Sequence, residues 1–218
     1  MISHEPIHLI LARHGNTFEK GQKLVQVGSK TDMPLTGHGR VQAEFLGKYL
    51  AERQITPRGL YAGGLKRQIE TAKIVGKELH FKGDIHEHEP ALTEVDYGLW
   101  EGLTQEEIME KWPLEYSAWT EESAWGEEIF GGTVRNHLIA IEKWLNKLRE
   151  EYSSGDTVIG ITSNGIIRFF YSFHDEEWSR LKKGKQMDIL KVSTGHFCEI
   201  LLFKNSISIK SWNVNPKE

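Results

Sequence analysis

Three short segments place side chains in combinations that can act on an oxyanion. The first is Arg13-His14-Gly15. A guanidinium is a planar fork of donors that matches phosphate or carboxylate oxygens. An imidazole beside it can act as nucleophile or base, and a glycine lets backbone approach a ligand closely. The second is Arg67, at the start of a helix-like run. The third is the loop from Leu92 to Gly98. There Glu94, held in a partly dry pocket, would have a raised pKa and could donate a proton. Taken singly, each also reads as ordinary structure: a polar loop with a chance histidine, a solvated arginine and a surface acid.

The apolar pattern indicates which elements must position these groups. Ile7 to Ala12 reads as a buried strand, and Arg13 to Thr17 as the loop after it. Residues 18–35 are irregular. Thr36 is placed as the N-cap of a helix with Val41, Phe45, Leu46, Tyr49 and Leu50 on its inner face. Residues 59–62 form a second strand, broken by Gly63-Gly64. A helix then runs from Arg67 to Leu79, with Ile69, Ala72 and Val75 inward. Residues 84–88 are read as a third strand, 90–102 as loop, and 104–130 as a helical stretch interrupted by Pro113 and Gly126. After Thr133, the residues Val134, Leu138, Ile141, Leu145, Leu148 and Tyr152 recur with the period of a core-facing helix. Thr157 to Thr162 is a strand, Ser163-Asn164-Gly165 a turn, and Ile166 to Phe173 the start of a helix. Residues 196–203 and 207–212 close the chain as a hairpin.

Strands alternating with helices predict an α/β fold of three layers, α/β/α, with a mostly parallel central sheet. Ligands in such sheets sit beyond the carboxyl ends of the strands. That singles out three strand-to-helix turns, at 13–17, 63–67 and 163–165. The chain shows neither repeats nor a linker, so one domain over 1–218 is expected, with a helical insertion about 103–130 over the site.

Read together, the motifs resemble the histidine phosphatase superfamily, the phosphoglycerate mutase-like proteins. The resemblance is carried by Leu11-Ala12-Arg13-His14-Gly15-Asn16-Thr17, by Gly28, and by Asp32-Met33-Pro34-Leu35-Thr36 with Gln42-Ala43. It continues through Leu65-Lys66-Arg67 with Thr71-Ala72, through Glu94 with Gly98-Leu99-Trp100-Glu101-Gly102, and ends in Gly165-Ile166-Ile167-Arg168. The blocks run in family order from about residue 7 to 170. The resemblance implies a phosphoglycerate mutase-like fold and a role for each matched residue. His14 would be the nucleophile that carries the phosphoryl group as phosphohistidine. Arg13 and Arg67 would clamp the phosphate, together with Asn16 and with Asn164 and Gly165 of the third turn. Glu94 would protonate the leaving alkoxide and then deprotonate the attacking water. A phosphoryl group in flight spreads charge over its equatorial oxygens, so fixed positive donors do most of the work. Neither metal nor other cofactor is implied.

The sequence departs from the pattern at informative places. The third turn normally carries a second histidine, and here the pair reads Asn164-Gly165. Asn offers amide donors but no positive charge. Losing one such donor typically costs roughly 3–4 kcal/mol of transition-state stabilisation. Gly63-Gly64 stands where the family often has Ser-Pro, which would loosen the turn leading to Arg67. Lys20 stands where relatives often place a phosphate-contacting Asn, and is a candidate source of the charge missing at Asn164; its plain alternative is a solvated lysine. His196 is a candidate substitute histidine. His86 and His88, on one strand, would share a face as some metal ligands do. The aromatics of 112–125 either line a lid or simply pack.

Composition narrows the rest. With 39% hydrophobic residues the chain can build a core, which excludes disordered and collagen-like sequence. Lys plus Arg number 27 against 31 Asp plus Glu, so the net charge of −4 gives no sign of nucleic-acid or anionic-membrane binding. The lone Cys198 permits no intrachain disulfide. The apolar run at residues 7–12 is too short for a signal h-region, and no stretch reaches the roughly 20 apolar residues of a membrane span. The expectation is a cytoplasmic, metal-independent phosphomonoester hydrolase whose partner is a small-molecule phosphate ester, weakened by Asn164. Phosphoglycerate mutase-type transfer and a phosphate-ester-binding pseudoenzyme are the alternatives. Substrate identity and oligomeric state are not legible.

Overall fold

The computed structural model describes residues 5–217. Among the described residues, six strands form one sheet in the order β3-β2-β4-β1-β5-β6. They are β1 (Ile7–Arg13), β2 (Pro57–Ala62), β3 (Ile85–His86), β4 (Thr157–Thr162), β5 (Phe197–Leu202) and β6 (Ile207–Val214). β1, β2, β3 and β4 are mutually parallel, and the β5–β6 hairpin adds antiparallel to β1. The helices are α1 (Gly37–Glu52), α2 (Lys66–Glu78), α3 (Gln105–Lys111), α4 (Pro113–Glu122), α5 (Val134–Glu151), α6 (Asn164–Tyr171) and α7 (Asp175–Lys183). The architecture is the expected three-layer α/β/α.

The alternation of a strand's side chains sorts the core into two layers. On β1, Leu9 and Leu11 point to the cluster shared with Ile141, Leu145 and Leu148 of α5 and Phe169 and Phe170 of α6. Ile10 and Ala12 point to the opposite cluster, with Leu46 and Leu50 of α1 and Ala72 and Val75 of α2. Strands buried on both faces read as unbroken apolar runs, and this is why 7–12 and 157–162 stand out in the sequence.

Four local expectations are corrected. On α1 the buried stripe is Gly39, Ala43, Leu46, Gly47 and Leu50, while Val41 and Phe45 are about two-fifths exposed. The cause is close backbone approach. A Cβ on Gly39 would collide with the carbonyl of Asn16, and one on Gly15 with the carbonyl of Gly39. The start of α1 thus rests directly on the loop after β1. On α2 the inner face carries Arg67, Gln68 and Thr71 as well as Ala72 and Val75, and Ile69 is only half-buried. β3 has two residues, not five. α6 begins at Asn164, two residues earlier than expected, with Ser163 at the N-cap; Asn and Gly are turn formers, yet here they occupy the first helical turn.

The stretch 104–130 holds α3 and α4. Thr104 and Glu107 form a capping box at the start of α3, and the expected interruption falls at Pro113, where α3 has ended at Lys111 and the proline opens α4. Trp119 of α4 meets Tyr97 and Phe130 edge-on, at ring-centroid separations of 5.6 and 5.1 Å. These contacts dock the two helices against the sheet's carboxyl end.

Candidate active site

β2, β4 and β1 are adjacent in the sheet, so the turns that follow them must adjoin. Backbone bonds hold them together: His14 N–H donates to the Thr162 carbonyl (3.0 Å) and Gly63 N–H to the Ile161 carbonyl (3.2 Å). Gln68 of α2 completes the knot. Its Nε2 donates to the Leu92 carbonyl (2.8 Å) and to Ser163 Oγ (2.9 Å), and its Oε1 accepts from Leu65 N–H (3.2 Å). The turns after β1 and β4 border a cavity of about 340 Å³ whose lining includes Arg13, His14, Asn16, Glu94, Asn164 and Arg168, while no residue of the turn after β2 lines it.

The imidazole of His14 is buried and fixed at both ends. Its Nδ1 lies 2.7 Å from the Gly15 carbonyl, which can only accept. Nδ1 therefore carries the proton and Nε2 presents a lone pair. That lone pair accepts from Arg67 Nε at 3.2 Å. Burial, then the charges of Arg67 and Arg13, hold the His14 pKa well below the usual histidine range. The ring is neutral, in the tautomer that leaves the lone pair on Nε2.

Both guanidiniums are locked by backbone carbonyls. Arg67 donates through Nη1 to Thr31 (2.8 Å) and through Nη2 to Gly28 (3.0 Å); Arg13 donates through Nη1 to Val192 (2.8 Å). Gly63 does not loosen the turn before Arg67. A Cβ there would collide with Gln68 Oε1, and Gly64 N–H is tied to Thr93 Oγ1 at 3.3 Å.

Glu94 is buried. Its Oε1 accepts from Val95 N–H (2.9 Å) and its Oε2 from Gly165 N–H (3.3 Å). Burial pushes its pKa above the ordinary carboxylate value against the pull of those N–H groups and the two arginines. Gly165 is sterically required, because a Cβ would collide with Tyr97 Oη and the Glu94 carboxylate.

Asn164 lines the same cavity. Its Oδ1 accepts from Val192 N–H at 2.8 Å; this assigns the oxygen end and leaves the NH₂ end as the donor toward the cavity. Asn16 also lines the cavity, but its Nδ2 donates to the Phe18 carbonyl at 2.6 Å, so the side chain shapes its own loop. Lys20 is exposed and is not among the cavity-lining residues. His196 is likewise outside the lining; its Nδ1 sits 3.2 Å from the Asn213 carbonyl. His86 stacks on Tyr61 at 4.4 Å, and His88 lies beyond the two-residue β3, so the pair shares no strand face.

Among the cavity residues that the sequence reading did not place in the site are Arg168 and Tyr97. Arg168, on α6 one turn after Asn164, is buried. It donates through Nη1 to the Trp119 carbonyl and Ser123 Oγ, both at 3.3 Å, and its guanidinium lies 4.6 Å from the centroid of the Trp119 ring. Its signal was a lone cation among Ile166, Ile167, Phe169 and Phe170. Tyr97 is buried, with its pKa pushed far above the usual tyrosine value by burial and by Glu94, so it is a neutral phenol. Three guanidiniums therefore face one buried carboxylate. Unmatched buried positive charge is costly, and a dianionic ligand would balance it.

A profile of the histidine phosphatase superfamily (branch 1) matches residues 9–215. Phosphoserine phosphatase 1 of Hydrogenobacter thermophilus is 25% identical over 76% of this chain and 74% of its own length. An acid phosphatase of Mycobacterium tuberculosis is 33% identical over 56% of this chain and 55% of its own. Among solved structures, a mycobacterial glucosyl-3-phosphoglycerate phosphatase superposes with a TM-score of 0.79 at 20% identity. It covers 95% of this chain and 99% of that one, a likeness of fold.

Proposed function

The chain belongs to the histidine phosphatase superfamily, and from that premise we propose that it hydrolyses phosphomonoesters through a phosphohistidine formed on His14. The observation that carries this is the neutral His14 ring, its Nε2 lone pair turned to the guanidinium of Arg67. In the first half-reaction Nε2 attacks phosphorus in line. The P–N bond forms as the P–O bond to the leaving group breaks. Arg13, Arg67 and the Asn164 amide hold the equatorial oxygens, where charge is concentrated. Glu94, whose pKa burial raises above the ordinary carboxylate value, takes up a proton as the dianionic ester binds beside it and delivers it to the leaving oxygen. The Gly15 carbonyl keeps the Nδ1 proton and stabilises the positive ring. In the second half-reaction Glu94, now a carboxylate, takes a proton from water. The resulting hydroxide attacks phosphorus, the P–N bond breaks, and inorganic phosphate leaves with the site restored.

Asn164 favours a second reading, in which the cradle binds phosphate esters and turns them over poorly. p-Nitrophenyl phosphate, assayed from acid to neutral pH without added metal, separates the two. Turnover abolished by His14→Ala supports hydrolysis. Tight phosphate-ester binding with a flat assay supports the binding module.

A further inference from the structure

Resting on the reading that the cradle holds a phosphomonoester, we propose that the alcohol it releases is small, uncharged and largely apolar, with an aromatic ring or similar flat surface. The cavity has two parts of different chemistry. Its floor is the cradle, with Arg13, His14, Arg168, Glu94 and Asn164; Arg67 is not a lining residue and reaches the cradle through its bond to His14 Nε2. Above it stand Phe18, Val25 and Val27 from the loop after β1, and Ile108, Tyr116 and Trp119 from α3 and α4. The polar groups set between them, Gln26, Gln105 and Thr120, are amides and a hydroxyl. Outside the floor, the only ionised side chain lining the cavity among the described residues is Lys191, which is exposed.

A second phosphate or carboxylate on the substrate would need its own cations when desolvated. Arg168 belongs to the floor that holds the transferred phosphoryl group, with its Nη1 donating to the Trp119 carbonyl and Ser123 Oγ, and Lys191 stands in solvent, where its charge is screened. An apolar group would instead exchange water for hydrocarbon walls. The volume of about 340 Å³ lies near the lower end of small-molecule sites, roughly 300–1,000 Å³. The walls thus select against bisphosphates and in favour of aryl or comparable apolar phosphomonoesters.

The experiment measures affinity and turnover separately. Phenylphosphonate, ethylphosphonate and a propane-linked bisphosphonate are titrated by calorimetry. In parallel, kcat/KM is compared for 1-naphthyl phosphate, glycerol 2-phosphate and fructose 1,6-bisphosphate. Burying a ring predicts a preference of about 10- to 100-fold for the aryl member of each set, and Tyr116→Ser and, separately, Phe18→Ser should each reduce it. Equal affinity across the phosphonates, or tighter binding of the bisphosphonate, overturns the inference. If no ester is turned over, the hydrolysis reading fails while the phosphonate affinities still decide this one. If no phosphonate binds, both fall.

Discussion

Nε–H of Arg67 donates across 3.2 Å to Nε2 of His14, the same ring whose Nδ1–H is held by the Gly15 carbonyl. One guanidinium therefore fixes the orientation of the ring that the proposed mechanism makes the nucleophile. One N–H of each Nη goes to Thr31 or Gly28, which anchors residues 28–31 and leaves a second N–H on each nitrogen.

Arg67→Lys keeps the charge and loses the planar fork. Steady-state kinetics should show kcat/KM lowered about 10²–10³-fold, the usual effect of losing one oriented donor. Thermal unfolding should show some loss of stability as well, since the carbonyls of Thr31 and Gly28 lose their partners. Unchanged kinetics would place the phosphate elsewhere.

The pH dependence follows from two opposite shifts. His14 must be neutral to attack, and with its pKa lowered it gains a proton only well into acid. Glu94 must be protonated to donate, and with its pKa raised it keeps its proton into milder acid than an ordinary carboxyl. Activity on alkyl phosphates therefore falls on the acid side as His14 gains a proton and falls on the alkaline side as pH rises through the raised Glu94 value. Glu94→Gln should lower kcat on these substrates by about 10²–10⁴ and erase the alkaline limb. On p-nitrophenyl phosphate, whose leaving group needs no proton, the loss should be much smaller. Equal losses on both substrates would remove Glu94 from the acid role.

Gly165→Ala sets helix propensity against sterics. Within a helix the change ordinarily stabilises by up to about 1 kcal/mol. Here the new methyl overlaps Tyr97 Oη and the Glu94 carboxylate, and overpacking typically costs about 1–3 kcal/mol. The variant should be less stable in denaturant titration and nearly inactive. A gain in stability would mean that Glu94 does not reach over residue 165.

Asn164 is the neutral member of the cradle. Asn164→Ala removes its amide donor and strands Val192 N–H, and should weaken competitive inhibition by inorganic phosphate. Asn164→His adds a chargeable group at the start of α6 and should raise kcat by about 10²–10³ if it replaces the missing donor. No gain from the histidine variant would show that Arg168, one turn further along α6, already satisfies the charge.

Much of the fold was legible because its strands are buried on both faces. Ile7–Ala12 and Thr157–Thr162 announce themselves as apolar runs, and the period of α5 marks one face through Ile141, Leu145 and Leu148. The faces of α1 and α2 were not legible, because their inner surfaces are set by backbone approach at Gly39 and by the polar knot at Gln68, not by hydrophobicity. Arg13, His14 and Arg67 could be picked out because each sits in a short motif that follows a strand, and Glu94 because its loop motif runs on into Gly98–Gly102. Their convergence could not be read locally, since it depends on the strand order β2-β4-β1. Lys20 was chosen by its place in a motif, yet its loop turns the side chain to solvent. Arg168 was passed over as part of an apolar helix, although a lone guanidinium on such a face has to find partners somewhere.

The central claim is a covalent bond between phosphorus and Nε2 of His14. Rapid quenching of the enzyme under turnover of a phosphomonoester labelled in its phosphoryl group, followed by peptide mapping, tests it directly. The account predicts an acid-labile, base-stable phosphoryl adduct on His14 that forms within the first turnover, decays at the steady-state rate and is absent in His14→Ala. Sustained turnover without label at residue 14, or activity retained by His14→Ala, would contradict it.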